Sequence, residues 1–251
     1  MGALFLRDHG FRALKPSQNS RRIIQLSVIA SLVLIATAIW FWGANEVRGN
    51  ATAVFCLTLI GGVYLMLANK IFPWLGLDIR DDAVERRNPA ATIALAGALL
   101  SVAVIYAAGN LGEGPSYLEN FFSAALGIGG LLVAWLVLEC GAHVSVSIAE
   151  ERDLASGIRF GGFLLAAGFI CARAVAGDWH STTATVHDFF HDGWPAAALC
   201  FPAVLSEWWL RPNRLRPFPS WPTHGLLPAL VYLAVAGAWL WHLGKWEGMP
   251  L

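Results

Sequence analysis

Charge is scarce in this chain. Only 14% of its 251 residues are Asp, Glu, Lys or Arg, where soluble domains carry about a quarter. That leaves too little polar surface to cover a water-soluble globule of this length. Seventeen basic residues against seventeen acidic ones give zero net charge, which removes the electrostatic footprint that a nucleic-acid partner requires. The four cysteines, Cys56, Cys140, Cys171 and Cys200, fall in apolar stretches and none sits in a CxxC. They read as free thiols packed as small hydrophobes, not as disulfides or metal ligands. Also missing are a phosphate-binding glycine loop, a nucleophile elbow, an HExxH pair and a CxxCH haem attachment. With no soluble segment large enough for a catalytic module, enzyme activity is disfavoured. No cofactor is predicted, although bound lipid is expected.

What the chain has instead is apolar length. Hydrophobic residues make up 57% of it, gathered in runs near the roughly 20 residues that cross a bilayer. The expectation is an all-α polytopic integral membrane protein of about seven transmembrane helices, over residues 23–42, 51–73, 90–109, 121–148, 154–177, 195–210 and 226–243. The first run follows polar and basic residues and ends in the bulky "IWFWG", so it reads as a retained helix and not a cleaved leader. The sixth is short and holds Pro195 and Pro202, and is expected to be tilted or partly re-entrant.

Orientation follows from Lys and Arg. With the N-terminus in the cytoplasm, that side carries fourteen of the seventeen basic residues, among them Arg7, Arg12, Lys15, Arg86, Arg87, Arg152, Arg159, Arg211, Arg214 and Arg216. Arg48, Arg173 and Lys245 fall on the other, with the C-terminus. Tryptophans sort independently to interface depths. Trp40, Trp42, Trp179, Trp194, Trp239, Trp241 and Trp246 lie outside, Trp74, Trp208, Trp209 and Trp221 inside, and only Trp135 is mid-span.

One phrase is written twice. "VERRNPAATIALAGALL", residues 84–100, returns 65 positions later as "AEERDLASGIRFGGFLL", residues 149–165. Glu85 answers Glu150, Arg87 answers Arg152, and Gly97 answers Gly162. Asn88 and Asp153 read as helix N-caps, with Pro89 suited to the first helical position. The small residues that follow, Gly97 in one copy and Gly157, Gly161 and Gly162 in the other, permit close helix packing. The preceding spans also correspond, through "IGG" at 60–62 and at 128–130. The unit is a two-span hairpin present twice in the same orientation, over 51–109 and 121–177. The domain plan is an N-terminus with its first helix (1–50), a tandem repeat core (51–178), and a polar outer loop with two final helices (179–251).

The stretch Asn88-Pro89-Ala90-Ala91 with Gly97, and Asp153-Leu154-Ala155-Ser156-Gly157 with Gly162, resembles the YjfL-type family of bacterial inner-membrane proteins, catalogued as a domain of unknown function, number three hundred and fifty. The resemblance covers about residues 51–178. It implies an inner-membrane location and a four-helix core, with no established activity. Asp153 and Ser156 stand where that family tends to show Asn and Ala, and Cys171-Ala172-Arg173 where it tends to end Asn-Ala-Ala-Cys. The first span and residues 179–251 lie outside the resemblance.

Ionisable residues within spans are costly and are functional candidates. Glu139 and His143, four apart, share a helical face and offer an ion or proton path together with Arg173; the competing reading wets both of them in cytoplasm. Arg173 pairs with Asp178 or Glu119, or contacts an anion. Glu207 is expected to meet Arg211 or Arg214. In the outer loop, His187 and His191 at i, i+4 with His180 form a candidate zinc or copper site, against an amphipathic interfacial helix whose histidines only titrate. The cytoplasmic loop "RPNRLRPFPSWPTHG" suits anionic headgroups or a docking partner. The expected role is an accessory or structural subunit, packing in a homo-oligomer or larger inner-membrane complex. The second reading is a transporter or channel with its path between the two hairpins.

Overall fold

In the computed structural model, residues 19–213, 215 and 219–244 are described. Several residues used in the orientation reading, Arg7, Arg12, Lys15, Arg214, Arg216, Lys245 and Trp246, lie outside them. The described residues form seven α-helices: α1 (Ser20–Trp42), α2 (Ala51–Ile71), α3 (Pro89–Ala108), α4 (Tyr117–Ala142), α5 (Leu154–Val175), α6 (Thr182–Leu210) and α7 (Leu227–Leu243). The protein is an all-α membrane protein, and among the described residues six helices are long and apolar enough to cross a bilayer, all but α6. The helices start where a short polar side chain can satisfy the orphan N–H groups of a first turn. Asn50, Asn88, Ser116, Asp153 and Ser181 all accept from backbone amides two or three residues on.

α3 and α5 are the centre. Of their most apolar windows 78% is buried, against 28% in α1 and α2 and 17% in the α7 segment. The two run parallel and touch backbone to backbone. A Cβ added at Gly97 would stand 2.7 Å from the Gly161 carbonyl oxygen, and one at Gly168 2.7 Å from Ser101 Cβ, while one at Gly157 would strike the Ala90 carbonyl. Only glycine allows this approach, and close approach is the main source of helix association in lipid, where the hydrophobic effect offers nothing. Around this seam α1 packs on α3, α2 on α1 and α3, and α4, α6 and α7 on α5. The outward faces of α1 and α2 expose Leu26, Ile29, Val33, Phe55, Leu59 and Met66, apolar surface that suits acyl chains.

The repeated phrase builds one turn twice. A π-helical turn, Ile79–Glu85 or Val146–Glu150, is followed by an arginine in the left-handed region, Arg87 at φ 51° or Arg152 at φ 55°, and then by the cap. Backbone hydrogen bonds match at the same offset: Arg86 N–H to the Asp81 carbonyl answers Glu151 to Val146, and Asn88 to Asp82 answers Asp153 to Ser147. The turns also hold each other. Asn88 Nδ2 donates to the Ile148 carbonyl at 2.7 Å and Arg152 Nη2 to the Arg86 carbonyl at 2.8 Å. Both caps therefore lie at one end of the bundle, called here the cap end.

Two elements differ from the sequence reading. The fourth span stops at Ala142, where the reading ran to residue 148, because His143 takes a left-handed conformation (φ 50°) and closes the helix on the Glu139 carbonyl. The polar stretch before Pro195 is not a separate loop. It is helical from Thr182 and continuous with the sixth segment, making α6 29 residues long with Pro195 and Pro202 inside. At about 1.5 Å per residue that exceeds the roughly 30 Å hydrocarbon core, so the polar first turns of α6 can project from it.

Candidate functional site

Two arginines on α5 face α6, one near each end. Fourteen residues separate Arg159 from Arg173, about 21 Å along the axis and nearly the same helical face. Their carboxylate partners Glu207 and Asp192 are fifteen apart on antiparallel α6. The pairs are thus two rungs in one register.

The rung at the cap end is saturated. Arg159 and Glu207 have side chains 1% and 2% exposed. Arg159 Nε donates to Glu207 Oε1 at 2.7 Å and Nη2 to Oε2 at 2.6 Å, the bidentate fork in which guanidinium–carboxylate pairs are strongest. Nη2 also reaches Ser156 Oγ at 3.0 Å. That hydroxyl donates to Asp153 Oδ2 at 2.7 Å, so the helix cap is wired into the pair. Nη1 donates to the His224 carbonyl, which tethers the π-helical turn Trp221–Leu226 that precedes α7. One guanidinium ties together α5, α6 and the entry to α7. The sequence reading counted Arg159 with the cytoplasmic charges and gave Glu207 to Arg211 or Arg214. Arg159 is enclosed instead and Glu207 is its partner; Arg214 lies outside the described residues. The available signal was position: Arg159 stands six residues after its cap and Glu207 three before the end of α6, each among apolar neighbours.

The far rung is loose. Arg173 has a side chain only 11% exposed, yet the nearest Asp192 oxygen is 3.7 Å from its Nη1, beyond hydrogen-bonding reach. Its Nε is buried without a hydrogen-bond partner among the described residues. Asp192 is already engaged, accepting at 2.8 Å from His191 Nδ1. Neither Asp178 nor Glu119 pairs with Arg173: Asp178 accepts from the Glu113 amide at 2.8 Å and Glu119 from Ser116 at 2.5 Å. A cavity of about 260 Å³ opens here, lined by Arg173, Asp178, Trp179, His180, Asp188 and Asp192 among others.

Glu139 and His143 are not brought to Arg173. They lie at the cap end of α4, where Glu139 Oε2 and Oε1 accept from the Ser145 amide (3.0 Å) and hydroxyl (2.6 Å). His143, outside the helix, is exposed. His187 and His191 stack with ring centroids 6.2 Å apart, each beside its neighbouring aspartate. His180 Nδ1 sits 3.0 Å from the Asp178 carbonyl. Among the described residues no group of three or more His, Cys, Asp or Glu side chains is placed to hold a metal.

A family model described as Domain of Unknown Function (DUF350) matches residues 34–175, more than half of the chain. The match starts inside α1, earlier than the resemblance at 51–178. It takes in both arginines of α5 but neither carboxylate of α6. No curated protein and no solved structure matches the chain.

Proposed function

We propose, from the premise that this chain belongs to the DUF350 family, that it is an accessory or structural subunit of a membrane complex, as a homo-oligomer or with other membrane subunits. Its core is then a duplicated hairpin inserted twice the same way up, with the N-terminus in the cytoplasm of a bacterial inner membrane and the C-terminus on the other side. One observation carries the reading: the α3–α5 seam, where a path between the hairpins would run, is filled by glycine and alanine backbone in contact. A fixed seam suits a scaffold. Further support comes from the cap end, where Glu139 is held by Ser145 and His143 is exposed, so neither is aimed along that seam.

The test is native mass spectrometry of the full chain extracted in mild detergent, with ion and solute flux measured in proteoliposomes. A defined oligomer or stoichiometric complex without flux is the expected result. A lone monomer that conducts overturns the proposal in favour of the transporter reading.

A further inference from the structure

The cavity at the far end of α5 has a chemistry that few ligands meet. A guanidinium offers five N–H donors and no acceptor, and leaving such donors enclosed and unpaired is costly. Arg173 therefore calls for anionic oxygen at a position that Asp192, 3.7 Å away, does not fill. Yet the cavity carries Asp178, Asp188 and Asp192 against the one guanidinium of Arg173, so a simple anion meets more negative than positive charge. A simple cation would satisfy the aspartates and leave the buried Arg173 Nε without an acceptor. A ligand with both signs satisfies both demands. The carboxylates are not grouped for a metal among the described residues, which suits a hydrogen-bonding ammonium. Asp188 is its natural acceptor: apart from a 3.4 Å contact with neighbouring His187, it is uncommitted.

The same stretch of α6 lines a second cavity of different character. An apolar groove of about 190 Å³ runs between α4 and α6, lined by Gly130, Val133, Phe189, Phe190, Gly193 and Trp194 among others, with Cys171 of α5 also lining it. Asp188 and Asp192 line the polar cavity while Phe189 and Gly193, each the next residue, line the apolar one. On α5 the division falls between Cys171 and Arg173. A zwitterionic head beside an apolar channel is the outline of an aminophospholipid. We infer that α5 and α6 bind one such lipid, its phosphate on Arg173, its ammonium on Asp188, and an acyl chain along the groove between α4 and α6.

The experiment uses the intact protein, purified in detergent and offered phosphatidylethanolamine, phosphatidylglycerol or phosphatidylcholine before native mass spectrometry. Phosphatidylethanolamine is expected to be retained over the other two, because one lacks the ammonium and the other carries it fully methylated. Arg173→Gln should weaken that retention roughly tenfold or more, the loss of charge-assisted hydrogen bonds, and Arg173→Lys should recover part of it. Asp188→Asn, at a side chain 67% exposed and so without consequence for folding, should remove the preference for ethanolamine over glycerol heads. Equal retention of all three lipids, or unchanged retention in both Arg173→Gln and Asp188→Asn, overturns the assignment. So does glycerophosphoethanolamine binding, read by thermal shift, when the diacyl lipid does not bind, since that makes the site one for a soluble zwitterion.

Discussion

The two ends of α5 carry the same residue type to opposite purposes. At the cap end, Arg159 has its guanidinium donors spread over Glu207, Ser156 and the His224 carbonyl. At the far end, Arg173 is nearly as enclosed but has one carboxylate in range, at 3.7 Å. The difference teaches that burial of a charge does not by itself mark a working site. A guanidinium whose donors are consumed by its own chain is a fastener. One that the fold encloses and leaves under-bonded is where a ligand is to be sought.

The largest effect should come from breaking the fastener on one side. Glu207→Ala leaves Arg159 buried without its counter-charge and should cost about 3–5 kcal/mol, read as a lowered thermal unfolding midpoint in detergent or failure to accumulate. Replacing both partners together, as Arg159→Met with Glu207→Leu, should recover much of that loss, because the desolvation cost disappears with the charges. If the double variant is as unstable as the single one, the pair is not the fastener described.

Next comes the α3–α5 seam, formed by the helix that carries both arginines. Gly161→Leu forces side-chain volume against the α3 backbone at Ile93 and Ala94, and should lower stability by about 1–3 kcal/mol or more. Cysteine cross-linking between α3 and α5 would report the separation. A Leu tolerated at 161 with unchanged cross-linking would mean that the seam opens, and would restore the transport reading.

A smaller effect is expected at the caps. Asn88→Ala removes the bonds to the Ala90 and Ala91 amides and to the Ile148 carbonyl. A cap of this kind contributes about 0.5–2 kcal/mol. Hydrogen exchange should show the loss in both π-helical turns together, since each turn holds the other.

Smallest of all should be Arg173→Gln, with a melting midpoint within about 1 kcal/mol of wild type, because at 3.7 Å from Asp192 no hydrogen bond within the chain is lost with the charge. A large loss there would erase the contrast between the two rungs and make Arg173 a second fastener.

How much of this was legible beforehand varies by residue. Asn88 and Asp153 could be read as caps because capping is local: the acceptor and the amides it serves lie within three residues. The parallel seam was foreshadowed by Gly97, Gly157 and Gly161, since small residues at helical spacing imply a close neighbour. Arg159 was misplaced because its distance from the end of an apolar run permits either solvation at the interface or burial, and the choice depends on whether a carboxylate from elsewhere stands opposite. The α6 stretch from Thr182 to Trp194 was read as an outer loop or an interfacial helix, and its continuity with the sixth span was missed, because helix formation there follows from backbone continuity and the Ser181 cap rather than from burial. His143 shows the converse, because an apolar run continues past it while the backbone turns.

By itself, then, the amino-acid order determined the all-helical membrane class, the approximate spans, the helix starts at Asn88 and Asp153 and the doubled phrase around them, all properties of stretches shorter than a bilayer crossing. Tertiary structure decided which charge meets which. Glu207 and Asp192 come from a helix 48 and 19 residues beyond Arg159 and Arg173, and only the antiparallel packing of α6 on α5 sets one pair at 2.6 Å and the other at 3.7 Å. Coulombic and hydrogen-bond energies change steeply over that ångström, and no local pattern encodes it.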